Sequence, residues 1–384
     1  MKKNILILLF SLCSWSWPQE AVRFMVVGDV HHYSPAADFR QTNLYEFVLA
    51  AINEQVDFIF LCGDLVIQGF GEYSEKDSVL KDWRTALQML EANQIKMYAC
   101  RGNNDGSRES WDSLFCGDYA FPPNGPAGEK NLTYTIEYEN ILFIALDQYS
   151  EAHKINQVWL DSVLSTNKST HIFAAGHEPA FKLLHSYCLD AFPEERNQFW
   201  ESLTQAGVKI FFCGHDHFYD HTILDDGDGD ERNDAHQVIV GTGSHPHGDS
   251  DYDGDNGRWT PLRLFHADSN GYALVEAGKS EVKLNWKQRA EQNVFVDGGD
   301  SYRFVTSVEK KLDGVQDYQL FQNYPNPFNP TTTIEFALPK SAFVTLKVYN
   351  LLGEEVATLI AEQRAAGIHK FNWDAKGLAG GVYL

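Results

Sequence analysis

The sequence predicts an α/β fold followed by a small all-β domain. Three observations predict it. Apolar, β-rich runs alternate with helix-period segments through the first two hundred residues, the pattern of sheets covered by helices. From Tyr219 to Val308 strand signals dominate and helix signals are few. Beyond residue 318 a proline-rich run leads into short strands broken by glycine turns. At 384 residues, with 43% apolar residues and nine Trp, the chain has room for two domains, or one large domain with an appendage.

The elements follow in order. Residues 1–16 read as a secretory signal peptide. Lys2 and Lys3 form its positive end, and Ile5–Leu12 is an apolar run too short to span a bilayer. Ser14 and Ser16 supply small residues at −3 and −1 of a cleavage site. Cys13 would suit lipidation, but Leu12 stands where a small residue is expected, so ordinary cleavage is favoured. No other stretch reads as a membrane span. Residues 17–308 read as one large domain. Its strands are Val22–Val27, Phe58–Cys62, Lys96–Cys100, Thr133–Tyr138, Ile141–Leu146, His171–Ala175 and Lys209–Cys213. Helices are expected near Leu44–Asn53, Lys76–Ala92, Gln157–Leu164 and Glu194–Ala206. Residues 309–317 read as a linker and 318–384 as a second domain. There Pro325, Pro327 and Pro330 forbid helix, and strands are expected at Thr332–Leu338, Val344–Asn350 and Lys370–Trp373.

The charge balance, 53 acidic against 31 basic residues, argues against a nucleic-acid-binding surface, which needs clustered Lys and Arg. The acid concentrates between Asp225 and Asp255, where ten acidic residues face one basic one. Two ladders there, Asp226-x-Asp228-x-Asp230 and Asp251-x-Asp253-x-Asp255, could wrap Ca²⁺. Neither is an EF-hand, because position six is Glu231 or Asn256 and position twelve is Gln237 or Leu262; a solvated acidic loop is the plainer account. Of the six Cys, Cys62, Cys100 and Cys213 end apolar strands and read as buried thiols, whereas Cys116 and Cys188 lie in loops and could pair.

Five fragments carry the chemistry: Gly28-Asp29-Val30-His31, Gly63-Asp64-Leu65, Gly102-Asn103-Asn104-Asp105, Gly176-His177 and Gly214-His215-Asp216-His217. Each follows an apolar β-rich run, so each places ligand-type side chains where a buried strand ends. In open α/β sheets that edge is where ligands bind. Asp29, His31, Asp64, Asn103, His177, His215 and His217 make seven candidate metal ligands, enough for two ions sharing one carboxylate. Two ions about 3.5–4 Å apart are a common device for hydrolysing phosphate esters.

In order and spacing these fragments resemble the five signature blocks of the calcineurin-like metallophosphoesterases, D-x-H, G-D, G-N-H-[DE], G-H and G-H-x-H, over roughly Val22 to Lys287. The resemblance implies two facing mixed β-sheets flanked by helices. It implies Asp29, His31 and His217 on a first metal, Asn103, His177 and His215 on a second, and Asp64 bridging. Mn, Fe or Zn suits such a donor set, and a metal-bridging hydroxide is the expected nucleophile. Asp216 and Asp220 are expected to hold the His rings. The run Asn323-Tyr324-Pro325-Asn326-Pro327-Phe328-Asn329-Pro330 resembles the start of the immunoglobulin-like sorting domain of Bacteroidota type IX secretion. Such domains continue past the segment seen here as Gly381-Val382-Tyr383-Leu384, so an incomplete domain is expected.

Two departures shape the functional expectation. Ile67 stands where purple acid phosphatases carry a Tyr ligand, so a Tyr-bound ferric site is not expected. Asn104 replaces the third-block His, the group that stabilises the transition state or protonates the leaving group; an amide is no acid at neutral pH. Asn104, Asp105 and His32 are the catalytic candidates, with His185, His245 and His247 as further substitutes. The expected function is a secreted or surface-exposed dinuclear phosphoesterase acting on small phosphate esters, diesters preferred, exported with the type IX machinery. The alternatives are a phosphomonoesterase and a catalytically impaired surface binding protein.

Overall fold

The computed structural model describes residues 21–33, 38–67, 76–227, 234–244, 248, 251–252, 254, 256–305, 318–321, 323, 328, 330–364, 367–378 and 380–383. The signal peptide, the linker, most of the proline-rich run and the last residue lie outside them. The chain divides into two compact units, Met1–Val305 and Thr306–Leu384.

In the first unit the strands are β1 (Ala21–Val27), β2 (Phe58–Cys62), β3 (Lys96–Cys100), β4 (Tyr134–Tyr138), β5 (Ile141–Ala145), β6 (His171–Ala175) and β7 (Ile210–Cys213). They continue with β8 (Tyr219–Asp225), β9 (Ala235–Val240), β10 (Thr260–Ala267), β11 (Gly271–Gly278), β12 (Glu281–Glu291) and β13 (Val294–Val305). The helices are α1 (Asn43–Glu54), α2 (Lys76–Ala92), α3 (Arg108–Leu114), α4 (Gln157–Thr166) and α5 (Pro193–Ala206). One sheet has the order β13-β12-β11-β1-β2-β3 and the other β10-β8-β9-β7-β6-β5-β4. β1, β2 and β3 run parallel, as do β5, β6, β7 and β9, so their C-terminal ends share one rim in each sheet.

The period of two along each strand divides the core. Ile141, Phe143 and Ala145 of β5 join the cluster between the sheets, while Leu142 and Ile144 pack with Leu160 of α4 and Phe199, Trp200 and Leu203 of α5. Phe24 of β1 stacks on Phe58 at 4.8 Å and meets Phe143, Phe173 and Phe212 of the opposing sheet edge-on, at 5.2–6.4 Å. Each such ring contributes roughly 1.5–3 kcal/mol by burial. A polar stitch crosses the same interface. Asp300 of β13 accepts from Tyr219 Oη (2.6 Å) and lies 2.8 Å from His221 Nδ1, and His221 Nε2 lies 2.8 Å from His236 Nδ1.

Helix ends follow capping chemistry. Thr42 accepts from the Tyr45 amide at the start of α1, and α5 runs from Pro193 to a left-handed Gly207. The short α3 was not expected from periodicity; Ser107 caps it and Trp111 and Leu114 bury it. No described helix is long and apolar enough to cross a membrane.

The second unit is all-β: β14 (Gln319–Leu320), β15 (Thr331–Leu338) and β18 (Gly367–Asp374) form one sheet, β16 (Ala342–Tyr349) and β17 (Glu355–Arg364) another. Phe336, Leu338 and Ile360 form its small core. β17 was not read from the sequence.

Candidate metal centre

The five glycine-led loops leave the C-terminal ends of β1, β2 and β3 in one sheet and β6 and β7 in the other. Glycine is required where they touch: a Cβ on Gly102 would overlap the Asp64 carboxylate, and one on Gly214 would overlap Asp29. Four ligand candidates stand on left-handed backbone: Asp29 (φ 56°), His31 (46°), Asp64 (49°) and His215 (69°). That conformation costs about 1–3 kcal/mol for a non-glycine residue and is held by the packing around it.

All seven candidates converge. Ligand-type atoms of Asp29, His31 and His217 lie within 4.8 Å of one another, as do those of Asp29, Asp64 and His177. Asp64 reaches both sides, with Oδ2 3.1 Å from His31 Nε2 and Oδ1 3.6 Å from His177 Nε2. Asn103 Oδ1 is 3.0 Å from His177 Nε2, and His217 Nε2 is 3.5 Å from Asp29 Oδ1. The His215 ring packs on His177 at 5.1 Å, and its backbone N–H donates to Asp29 Oδ2 (2.9 Å).

The donor chemistry fits a divalent cation. His177 Nδ1 donates to the Cys62 carbonyl (2.8 Å), which aims Nε2 at the acceptor oxygens of Asp64 and Asn103. Asp29 Oδ1 and His215 Nε2 are buried with no hydrogen-bond partner among the described residues. Leaving such atoms unpaired costs about 1–3 kcal/mol each, so they point to a ligand. Burial lowers His177, but the charges of Asp64 and Asp29 carry it up to about 9. Burial raises Asp64, but His177 and His31 hold it well below the usual carboxylate range. Both shifts describe carboxylates that hold positive charge tightly.

The catalytic candidates are placed differently. Asn104 donates to Asp64 twice, from its backbone N–H (2.7 Å) and from Nδ2 (2.6 Å), so its side chain orients the carboxylate of a ligand candidate. Asp105 is fully buried, accepts from the backbone of Leu65, Val66 and Gly102, and locks the second loop to the third. Burial first, and then the Asp64 charge, pushes its carboxyl up to about 7. His32 turns away: its Nε2 lies 3.1 Å from Asp82 Oδ2 of α2, and its ring packs edge-on against Trp83. His185 sits at the centre, its ring 4.6 Å from that of His215. Asp216 lies 2.6 Å from His185 Nδ1 and accepts the backbone amides of Leu184 and His185, so it holds His185 rather than a ligand ring. Asp220 serves Thr222, Tyr252, Arg263 and His266 instead of the ligand histidines. His245 and His247 lie outside the described residues, as do Asp228, Asp230, Asp253 and Asp255 of the acidic ladders. Asp226 groups with Asp225 and the buried Asp234. The cysteines Cys62, Cys100, Cys116, Cys188 and Cys213 are all free; Cys116 is exposed and Cys188 buried, so these two do not pair.

One positioning residue was missed. Gln148, fully buried just beyond β5, accepts from the backbone of both His177 and Glu178 (2.7 Å each) and donates to the Glu178 carbonyl (3.0 Å). Its position beyond a strand end, like that of the five blocks, was the available signal. A cavity of about 720 Å³ opens elsewhere, between α2, β3 and the loop around Phe121, and none of the seven ligand candidates lines it.

Comparison with known proteins places these observations. Residues 322–384 match the secretion system C-terminal sorting domain, which marks the chain for secretion or cell-surface export. A search among curated proteins found no match. Among solved structures, a purple acid phosphatase from yellow lupin (Lupinus luteus) seeds is similar at TM-score 0.53 and 15% identity, covering 75% of this chain and 54% of that one. PhoD is similar at 0.51 and 14%, covering 75% and 70%. GAP50, the anchor in the inner membrane complex of Plasmodium, is similar at 0.50 and 17%, covering 74% and 89%. At these identities the likeness concerns the fold. The calcineurin-like phosphoesterase model matches residues 22–219, which carry all five ligand loops and more than half of the sequence, so the chain belongs to the calcineurin-like phosphoesterase family.

Proposed function

We propose that this chain is an exported, dinuclear metal-dependent phosphoesterase that prefers phosphodiesters. The observation that carries the reading is the convergence of seven ligand-type side chains from five loops, with Asp29 Oδ1 and His215 Nε2 buried and unbonded among the described residues. Asp29, His31 and His217 would hold one ion, Asn103, His177 and His215 the other, with Asp64 shared. Mn, Fe or Zn would supply Lewis-acid charge and a water activated near neutral pH. The rest falls to the protein. Cys62 and Gln148 fix His177, Asn104 fixes Asp64, and Asp105 ties their loops together. With its amide committed to Asp64, Asn104 gives no proton to a leaving group. Esters with good leaving groups are favoured accordingly. A diester carries one negative charge rather than about two and resists an anionic nucleophile less.

His185 favours a second reading, a phosphomonoesterase in which this ring protonates the leaving group. It packs on His215, and Asp216 engages Nδ1, which leaves Nε2 for the substrate side. Hydrolysis of matched aryl and alkyl mono- and diesters by the metal-reconstituted protein, with and without His185→Asn, separates the two. Diester preference that survives His185→Asn supports the first. Alkyl monoester turnover that falls by about 10²-fold or more in the variant supports the second. Absence of all turnover with both metals bound would instead indicate a surface binding protein built on this fold.

A further inference from the structure

A group of residues next in the chain to the ligand candidates is used neither for ligation nor for proton transfer. Beyond the ligand His177 lies Glu178, whose buried carboxylate Oε1 is 2.9 Å from His153 Nδ1. His153 stands on left-handed backbone (φ 62°), with its N–H on the Gln148 carbonyl (2.9 Å). Its ring stacks on Tyr187, with centroids 6.2 Å apart and planes 27° apart. Tyr187 is 71% exposed, yet it lies between the fully buried Cys188 and, two residues earlier, His185, which packs on His215. His153 is thus linked through Glu178 to the chain neighbour of His177, and Tyr187 follows His185 by two positions. Tyr187 stands beside His153 with most of its surface exposed. A rigid aromatic face costs little entropy to use and accepts any flat π-system. The strained backbone at His153 is the kind that persists where a side chain must be aimed.

We propose that the Tyr187–His153 pair is a stacking platform for a planar aromatic group on the phosphate ester. The inference rests on the phosphoesterase reading for its substrate, and it names the class: nucleoside or aryl esters over simple alkyl esters. A nucleobase and an aryl ring share the recognised feature, a flat π-face.

The test is calorimetric binding to the metal-loaded full chain, with three probes that are not hydrolysed: methylphosphonate, phenylphosphonate and the methylene-phosphonate analogue of thymidine monophosphate. The aromatic probes are expected to bind about tenfold more tightly than methylphosphonate, the size of one stacking contact. Tyr187→Ala should erase that advantage, and Tyr187→Trp should keep it, a rescue that a merely structural role would not give. A thymidine analogue tighter than phenylphosphonate identifies a nucleobase as the natural occupant, and equal affinity identifies an aryl ring. Equal binding of all three probes by the native chain, no binding of any, or an aromatic advantage that survives Tyr187→Ala overturns the platform. Turnover assays run in parallel keep the failures apart. An aromatic advantage without hydrolysis refutes the proposed function alone, and hydrolysis without the advantage refutes the platform alone.

Discussion

Asp64→Asn tests the centre most directly, because the substitution keeps shape and removes only charge and acceptor capacity. In the native chain Asp64 accepts two bonds from Asn104 and faces His31 and His177 on opposite sides. An Asn there can still accept from the Asn104 backbone, but its amide would meet the Asn104 amide donor to donor, at about 1–3 kcal/mol. Against that, removing the Asp64 charge relieves its repulsion of the buried Asp105, whose carboxyl is pushed up to about 7 by burial and then by Asp64. The loss of its attraction for His31 and His177 outweighs that relief, so the metal-free protein should also lose stability. The metal-dependent increment should fall sharply. An ion at about 1,000 times its Kd stabilises by about 4.1 kcal/mol, and a 100-fold weaker site loses about 2.7 kcal/mol of that. At about 2 °C per kcal/mol for a unit of this size, the metal-induced rise in Tm should shrink by about 5 °C. Activity should fall by about 10²-fold or more. Metal content by mass spectrometry, thermal melts with and without Mn²⁺ and aryl diester hydrolysis measure all three. A variant that keeps two metals per chain and near-native turnover would refute the shared-carboxylate assignment.

Four further expectations follow from the geometry. Asn104→His should raise monoesterase activity, by up to the roughly 10²–10⁴-fold that general acid catalysis supplies; no gain would mean that another residue already donates the proton. A chain ending at Lys311 should fold and turn over like the full chain, because every described ligand candidate lies in the first unit; loss of the cooperative melt would place the boundary elsewhere. Among the five described cysteines, only Cys116 should react with a thiol reagent in the native state, since burial raises the thiols of Cys62, Cys100, Cys188 and Cys213; two or more fast thiols would contradict the packing. Asp300→Ala should destabilise the first unit by about 3–5 kcal/mol in urea titration, because it strips the buried His221 and Tyr219 of their common acceptor, while leaving metal content intact.

The convergence of the seven candidates was legible because each block combines three local signals: an apolar run, a glycine and a ligand-type side chain. The glycines are dictated by loops in contact, and that need writes itself into sequence. What side chains do beyond the blocks was not legible. His31 and His32 are neighbours, yet one faces the centre and the other Asp82, because the left-handed turn at His31 redirects the chain. Asn104 and Asp105 are adjacent too, and only contacts 40 positions away show that both serve the Asp64 loop. His185 could not be told from other loop histidines until Asp216, 31 positions on, was seen to engage it. The Tyr187–His153 stack joins two loops with no shared signal at all. In the second unit Glu355–Arg364 carries no clean alternation; its pairing with β16 decides its conformation, a tertiary override of a weak local preference.

The hydrogen bond from His215 to Asp29 joins residues 186 positions apart, one from each sheet. This centre therefore has no local precursor. Asp29, His31, Asp64 and Asn103 come from the first sheet and His177, His215 and His217 from the second, and the proposed assignment gives each ion candidates from both; closing so long a loop is entropically among the last events of folding. On the proposed function, metal capture would report that the two sheets have docked, and removal of the metal should be felt at the strand ends of both sheets together. Amide exchange with and without a chelator would show the loops after β1, β2, β3, β6 and β7 opening as one cooperative unit, while the aromatic seam around Phe24 stays protected.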